Sequence, residues 1–126
     1  MLTLYGISNC DTVRKAKKWL DAHQVSYRFH DFRKDGLTAA DIESWQSQLG
    51  LEKLINKRGT TWRQLSNAER EMAENPNSQA TELLLQYPAL IKRPLLEGSL
   101  PEGSSICEVG FNETLYSDLI NGVTHE

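Results

Sequence analysis

The sequence has few cysteines, no long apolar run and no excess of positive charge. Two cysteines among 126 residues are too few for a disulfide scaffold. The three histidines, His23, His30 and His125, are scattered and match no zinc-ligand spacing. No run of about 18 apolar residues is present to span a membrane. A formal net charge of −3 gives no general basis for nucleic-acid binding. We therefore expect no bound metal, no membrane contact and no nucleic-acid partner.

The composition and the N-terminus indicate an ordinary globular protein. Apolar residues make up 39% of the chain and charged residues 25%, and this length allows one domain with a real core. The start, MLTLYGISNC, lacks the basic residues and long apolar stretch of a signal peptide, which favours the cytoplasm. No repeat or linker is visible, so we expect residues 1–126 to form a single domain.

The first third of the chain predicts a strand, a helix and a second strand. Residues 2–6 are rich in strand formers, residues 11–22 place apolar side chains on one face, and residues 25–32 alternate. Such a unit has a right-handed crossover, which makes its two strands parallel.

The remaining chain predicts a cluster of short helices and then a hairpin and a final helix. Capping residues, among them Thr38, Ser66 and Asn112, and glycine or proline stops delimit the helices. The predicted segments are helices at 38–49, 51–59, 66–75 and 78–88, strands at 89–92, 94–97 and 105–109, and a helix at 111–120, with TTWRQL left as a turn or helix. This order predicts a thioredoxin-type α/β fold with a four-stranded mixed sheet, helices on both faces, and a helical insertion at about 38–88.

Cys10 stands where the first strand gives way to the first helix. A helix N-terminus carries unpaired N–H groups and partial positive charge, which favour the nucleophilic thiolate form of a cysteine. Arg14 and Lys15 add positive charge nearby, which Asp11 partly offsets. The alternative is an inert cysteine packed in the turn, but the polar residues 8–12 around it favour a reactive thiol.

A neighbouring resolving cysteine is missing, because the C-x-x-C position holds Val13. An oxidised Cys10 must therefore react with an external thiol or with a distant cysteine. Cys107 is the one internal candidate. It lies in the apolar segment SICEV, so a purely structural role in the sheet is the stronger interpretation, although alternation does not place it firmly in the core.

Four segments, spread along nearly the whole chain, carry a family resemblance: LYGISNCDTVRKAKKWL, NKRGTTWR, IKRPLLE and VGFNE. In this order they resemble the ArsC arsenate reductase family and, within it, the YffB/Spx-like branch. The resemblance implies a thioredoxin-like, glutaredoxin-related fold with a helical insertion. It also implies that Cys10 attacks the substrate and that glutathione and glutaredoxin complete the reduction.

The resemblance also implies a binding site for the substrate. Arg93 corresponds to an oxyanion-binding arginine, and Pro94 to a cis-proline facing Cys10, roles that suit the chemistry of both residues. Arg58 is a near match to an arginine of the insertion. Arg14 and Lys15 lie on a basic helix face that could attract glutathione, the expected co-substrate in the absence of a bound cofactor.

Some family residues are replaced. Gly6-Ile7-Ser8 stands where the arsenate reductases have a histidine and an asparagine before the cysteine, and Val109-Gly110-Phe111 where they have a further arginine. These replacements weaken the case for arsenate as the substrate.

Three functions are compatible with these residues. The first is a glutathione-dependent monothiol reductase, acting as a monomer. The second is an Spx-like regulator that binds RNA polymerase, although Val13 removes the C-x-x-C switch common in those regulators. The third is a non-catalytic relative that binds glutathione.

Overall fold

The computed structural model describes residues 1–75 and 78–121. The chain forms two compact units, one made of Met1–Asp35 with the chain from Arg93 onward, and the other of Gly36–Lys92. The helices are α1 (Asp11–Ala22), α2 (Ala39–Leu49), α3 (Leu51–Leu54), α4 (Thr60–Arg63), α5 (Asn67–Met72), α6 (Ser78–Gln86) and α7 (Glu113–Asn121). The second unit contains the whole of the predicted insertion.

The first unit is built on a four-stranded mixed sheet, as predicted. Its strands are β1 (Leu2–Gly6), β2 (Tyr27–Asp31), β3 (Leu95–Ser99) and β4 (Ser105–Val109). The spatial order is β2-β1-β3-β4, with β1 parallel to β2 and the other two pairings antiparallel. Since β4 thus runs in the same direction as β1 and β2, the carboxyl ends of these three strands lie at one edge of the sheet.

Helices α1 and α7 pack on the same face of this sheet. The apolar positions Val13, Ala16 and Leu20 of α1 are completely buried, as their spacing predicts. They form one cluster with Leu2, Leu4, Leu96 and Ile106 of the sheet and Tyr116 of α7. Burying each such aliphatic side chain contributes about 1.5–3 kcal/mol to folding. The residues that alternate with these strand positions, including Thr3, Glu97 and Cys107, point to the other face.

Gly6 allows α1 to lie close to the end of β1. A Cβ atom added at Gly6 would lie 2.7 Å from Cγ2 of Val13, which is too close without movement. We expect Gly6→Ala to lower the free energy of unfolding by about 1–3 kcal/mol, the usual cost of overpacking, as measured by urea unfolding. Gly59→Ala is the control, because its nearest neighbour is a flexible amide of Asn56 at 3.1 Å. An equal loss in both variants would contradict this account of Gly6.

The second unit is a cluster of short helices with capped starts. Thr38 accepts a hydrogen bond from the Asp41 N–H at 3.1 Å, and Ser66 and Glu69 form a reciprocal capping box. Trp45 and Leu83 are completely buried. The caps are what the sequence predicts for this region.

Several predicted boundaries were wrong. Residues 89–92 do not form a strand: Pro88–Leu90 is a 3-10 turn, and Ile91 makes only an isolated bridge to Ile55. Proline at the first helical position favours such a turn. Helix α3 ends at Leu54 because the next stretch turns to pair with this segment, with the Asn56 N–H donating to Leu90 O at 2.7 Å.

Other boundaries moved by one to four residues. The second strand begins at Tyr27 rather than at 25, since the Val25 N–H is bonded to Leu20 O at the end of α1. The ambiguous segment TTWRQL contains α4. Asn112 caps the last helix as predicted, accepting from the Leu115 N–H at 2.7 Å. Within residues 1–75 and 78–121, no helix combines the length and the hydropathy needed to cross a membrane.

Candidate active site

The turn between β1 and α1 places Cys10 at the start of the helix. Cys10 is the N-cap residue, with φ −97° and ψ 127°. Its N–H donates to Ile7 O at 3.2 Å, and its carbonyl accepts from the Arg14 N–H at 3.0 Å. The side chain is half-buried and makes no capping hydrogen bond. The first N–H groups of α1 have no partner within the helix, so the thiol stands at the positive end of the helix dipole.

Asp31, the last residue of β2, holds this turn from the neighbouring strand. Its Oδ2 accepts from the Ser8 N–H at 3.3 Å and its Oδ1 from the Arg33 N–H at 2.8 Å. The residue is only 3% exposed. Sequence reasoning missed this role, although a carboxylate at the end of a strand, on the same side as Tyr27 and Phe29, was a usable signal.

The charge of Asp31 is compensated by hydrogen bonds. Burial raises the pKa of its carboxyl group. The N–H donors of Arg33, Ser8 and Lys34 lower the pKa by more than burial raises it, so the pKa lies below its ordinary value. Asp31 therefore stabilises the folded state above the pKa of the unfolded chain, about 3.9, and this contribution is lost as pH falls through the lower folded-state pKa.

We expect Asp31→Asn to make the free energy of unfolding depend less steeply on pH in acid solution. In the wild type, the free energy of unfolding should fall as pH drops below about 4, partly because Asp31 must be protonated against its hydrogen bonds. The variant lacks this carboxyl group, so its curve should be lower at neutral pH and less steep in acid. Urea unfolding at a series of pH values measures both slopes, and equal slopes would contradict the assignment.

Arg93 and Pro94 lie at the sheet edge where β1 ends. Leu95, which follows them, pairs with Tyr5 near the end of β1, and Pro94 O accepts from the Gly110 N–H at 2.8 Å. The Arg93–Pro94 bond is cis, which confirms this part of the prediction. Pro94 is buried and Arg93 half-buried, with its Nε atom inaccessible. That Arg93 faces Cys10 and binds an anion stays a prediction.

The two predicted cations of α1 differ in their surroundings. Arg14 forms an ion pair with Asp11, and both side chains are largely exposed. The positive charge expected from Arg14 is therefore paired with Asp11, although exposed ion pairs contribute little to stability. Lys15 is exposed and lines a groove between α1 and α7, together with Lys18, Trp19 and Phe111. Lys15 is thus the more available of the two predicted cations.

Arg58 lies in the second unit. It follows α3, is exposed, and its N–H donates to Asn56 Oδ1 at 3.1 Å. Its predicted contact with the substrate stays a prediction.

Cys107 points to the sheet face opposite the one covered by α1. It pairs with Glu97, which pairs with Thr3, three positions before Gly6 and hence about 10 Å from that end of β1. Cys10 packs against the cluster on the α1 face instead. A disulfide needs Cα atoms about 4.4–6.8 Å apart, so an internal Cys10–Cys107 bond requires the sheet to be disrupted.

Known proteins resemble this chain in both sequence and structure. The ArsC family model matches residues 5–119. The chain belongs to the ArsC family. A solved structure of a protein named YFFB is 39% identical, with 93% of this chain and 96% of that chain covered and a TM-score of 0.79. These matches confirm the family and the branch that the four segments predicted.

Two further relatives carry names that point to different functions. A structure described as an arsenate reductase (ArsC) related protein from Brucella melitensis is 39% identical, with 92% of this chain and 91% of that chain covered and a TM-score of 0.68. The global transcriptional regulator Spx of Enterococcus faecalis is 27% identical over 90% of this chain and 81% of its own length. The thioredoxin-like fold is common to this ArsC-family group, whereas the named functions are not.

Proposed function

We propose that this ArsC-family chain is a monothiol thiol–disulfide oxidoreductase, with Cys10 as the nucleophile and glutathione as the second thiol. The observation that carries the proposal is the isolation of the Cys10 thiol at the start of α1. Val13 occupies the usual resolving position and is completely buried, and Cys107 points to the other sheet face. An external thiol must therefore resolve any disulfide that Cys10 forms.

The reaction has two exchange steps. The Cys10 thiolate attacks the glutathione sulfur of a mixed disulfide R–S–S–G, which forms Cys10–S–S–G and releases R–S⁻. A glutathione thiolate then attacks the glutathione sulfur of this adduct, which forms oxidised glutathione and releases the Cys10 thiolate. Each turnover consumes one free glutathione thiolate, which leaves in oxidised glutathione together with the glutathione half of the substrate, while the other half is released as R–S⁻.

Positive charge at the sheet edge supports glutathione as the partner. Glutathione carries two carboxylates, and arginine binds carboxylates through charge-assisted hydrogen bonds. Arg93 lies at the edge where the Cys10 turn begins, and Lys15 lies five residues after Cys10 on α1. Glutaredoxin is the proposed protein reductant where glutathione alone is slow. We place this chemistry in the cytoplasm, where the glutathione pool keeps thiols reduced.

Disulfides fit the site better than arsenate. An oxyanion needs several donors around the attacking sulfur, and the positions 6–8 before Cys10 carry no ionisable side chain. The segment 109–111 likewise provides no arginine. Arg93 alone is a weak basis for oxyanion reduction, so an arsenate reductase activity should be much slower than disulfide reduction.

A coupled assay tests the proposal. The purified protein is mixed with the disulfide of glutathione and 2-mercaptoethanol, and oxidised glutathione is followed through glutathione reductase and NADPH. We expect turnover that saturates with the disulfide and depends on glutathione. No turnover above the uncatalysed exchange would overturn the enzyme assignment, and glutathione binding without turnover would indicate the non-catalytic relative.

A transcriptional regulator is the second candidate, because the similar Spx protein is named a global transcriptional regulator, and binding to RNA polymerase is the form of regulation proposed for it here. The two proposals differ in what they require of Cys10. A regulator would bind purified RNA polymerase core or holoenzyme with micromolar or tighter affinity and would show no disulfide turnover. Binding of that strength, measured by interferometry in the absence of turnover, would favour the regulator.

A further inference from the structure

At the end of the sheet, Asp31 joins two turns that are far apart in the sequence. Its Oδ2 accepts from the Ser8 N–H in the turn that leads to Cys10, and its Oδ1 accepts from the Arg33 N–H in the turn after β2. The main chain reinforces this join, since the Phe32 N–H donates to Gly6 O at 2.9 Å. A buried carboxylate with both oxygens engaged by backbone donors is a rigid connection.

We propose that Asp31 is a positioning residue for the nucleophile: it fixes the turn of residues 7–10, so that the Cys10 sulfur is held at the start of α1. This inference rests on the proposed role of Cys10 as the nucleophile. Asp31 acts through Ser8 and does not itself touch the substrate.

The carboxylate is required because two donors must be satisfied at once. An asparagine at this place has one acceptor oxygen, and its NH2 group would face an N–H donor. Either the Ser8 or the Arg33 contact is then lost. If the Ser8 contact is the one lost, the turn of residues 7–10 is held by the Cys10 N–H to Ile7 O bond at 3.2 Å and by the Arg14 N–H to Cys10 O bond at 3.0 Å, and the thiol would spend part of its time away from the N-cap position.

Loss of this position should slow attack by Cys10 in the folded protein. Thiol exchange needs the sulfur in line with the bond that breaks, and misplacement of a nucleophile by about 1 Å can cost up to 100-fold in rate. Because the rest of the turn remains, we expect Asp31→Asn to lower the rate constant for Cys10 by about tenfold.

The test measures Cys10 alkylation by iodoacetamide in a Cys107→Ser background, under conditions where each variant is more than about 99% folded by its unfolding curve. Asp35→Asn is the charge-matched control: Asp35 Oδ2 accepts from the Asp31 N–H at 2.9 Å, and the Ser8 contact does not involve it. Thr81→Val is the stability control, since it removes a buried hydrogen bond from Gln46 in the second unit, at 2.7 Å.

We expect the tenfold loss in Asp31→Asn and rates within about twofold of wild type in both controls. Asp31→Glu keeps both acceptor oxygens on a longer side chain and should give an intermediate rate. If Asp31→Asn does not fold, Asp31→Glu becomes the deciding variant, and we expect its Cys10 alkylation rate to be several-fold below that of the wild type. A wild-type rate in the folded Asp31 variant, or an equal loss in Thr81→Val, would overturn the proposal.

The same variants are then treated with oxidised glutathione. If the wild type alkylates quickly but forms no glutathione adduct, the proposed function fails while the role of Asp31 is still decided by the alkylation rates. If the adduct forms at the same rate in wild type and Asp31→Asn, the positioning role fails and the proposed function stands.

Discussion

Replacing Cys10 with serine is expected to abolish disulfide reduction, with a loss on the order of 10³-fold or more. A serine hydroxyl at the start of α1 has no base positioned to activate it and cannot form the mixed disulfide that both exchange steps require. The coupled glutathione assay measures the loss, and unfolding curves confirm that the variant is folded.

Cys107→Ser is the matched control, since it removes the other cysteine, which lies on the opposite sheet face. We expect it to keep activity within about twofold of wild type, because no step of the proposed reaction uses that sulfur. A folded Cys107→Ser protein that is as inactive as Cys10→Ser would mean that the two cysteines work together, and the monothiol scheme would be wrong.

Replacing Arg93 with alanine is expected to lower kcat/KM for the glutathione disulfide by about 10- to 100-fold. A hydrogen bond from a charged group contributes about 1.5–3 kcal/mol, and each 1.4 kcal/mol corresponds to a tenfold change. The loss should appear mainly in KM, because Arg93 would bind the carboxylates of glutathione in both the ground state and the transition state.

Two further variants distinguish the loss of glutathione binding from a general effect of losing one positive charge. Arg93→Lys keeps the charge but not the planar pair of donors, so it should recover part of the lost affinity. Arg28→Ala removes an exposed arginine of β2 that alternates to the sheet face away from α1, and it should have little effect. Equal losses in Arg28→Ala and Arg93→Ala would show a nonspecific effect of net charge and would contradict the assigned site.

The features that could be predicted from the sequence are those that depend on short-range patterns. The apolar spacing of Val13, Ala16 and Leu20 predicted α1 and its buried face, because helical periodicity and burial are linked directly. The caps at Thr38, Ser66 and Asn112 followed from side chains that bond to nearby backbone N–H groups. The mixed sheet followed from the element order and the right-handed crossover rule.

The features that were missed depend on contacts between distant segments. Residues 89–92 have strand-forming side chains, but Pro88 and the pairing of Leu90 with Asn56 give a turn and a single bridge. Asp31 looked like an ordinary strand residue until the Ser8 N–H, 23 positions earlier, was seen to donate to it. By contrast, the ion pair between Arg14 and Asp11 agrees with the partial offset by Asp11 that the sequence predicted from residues three positions apart.

The most direct test of the central claim is mass spectrometry of the protein after treatment with oxidised glutathione, with the modified residue mapped in peptide digests. A single glutathione on Cys10, absent in Cys10→Ser and unchanged in Cys107→Ser, is the result that a monothiol nucleophile predicts. A Cys10–Cys107 disulfide in the folded protein, or glutathione carried mainly by Cys107, would contradict it.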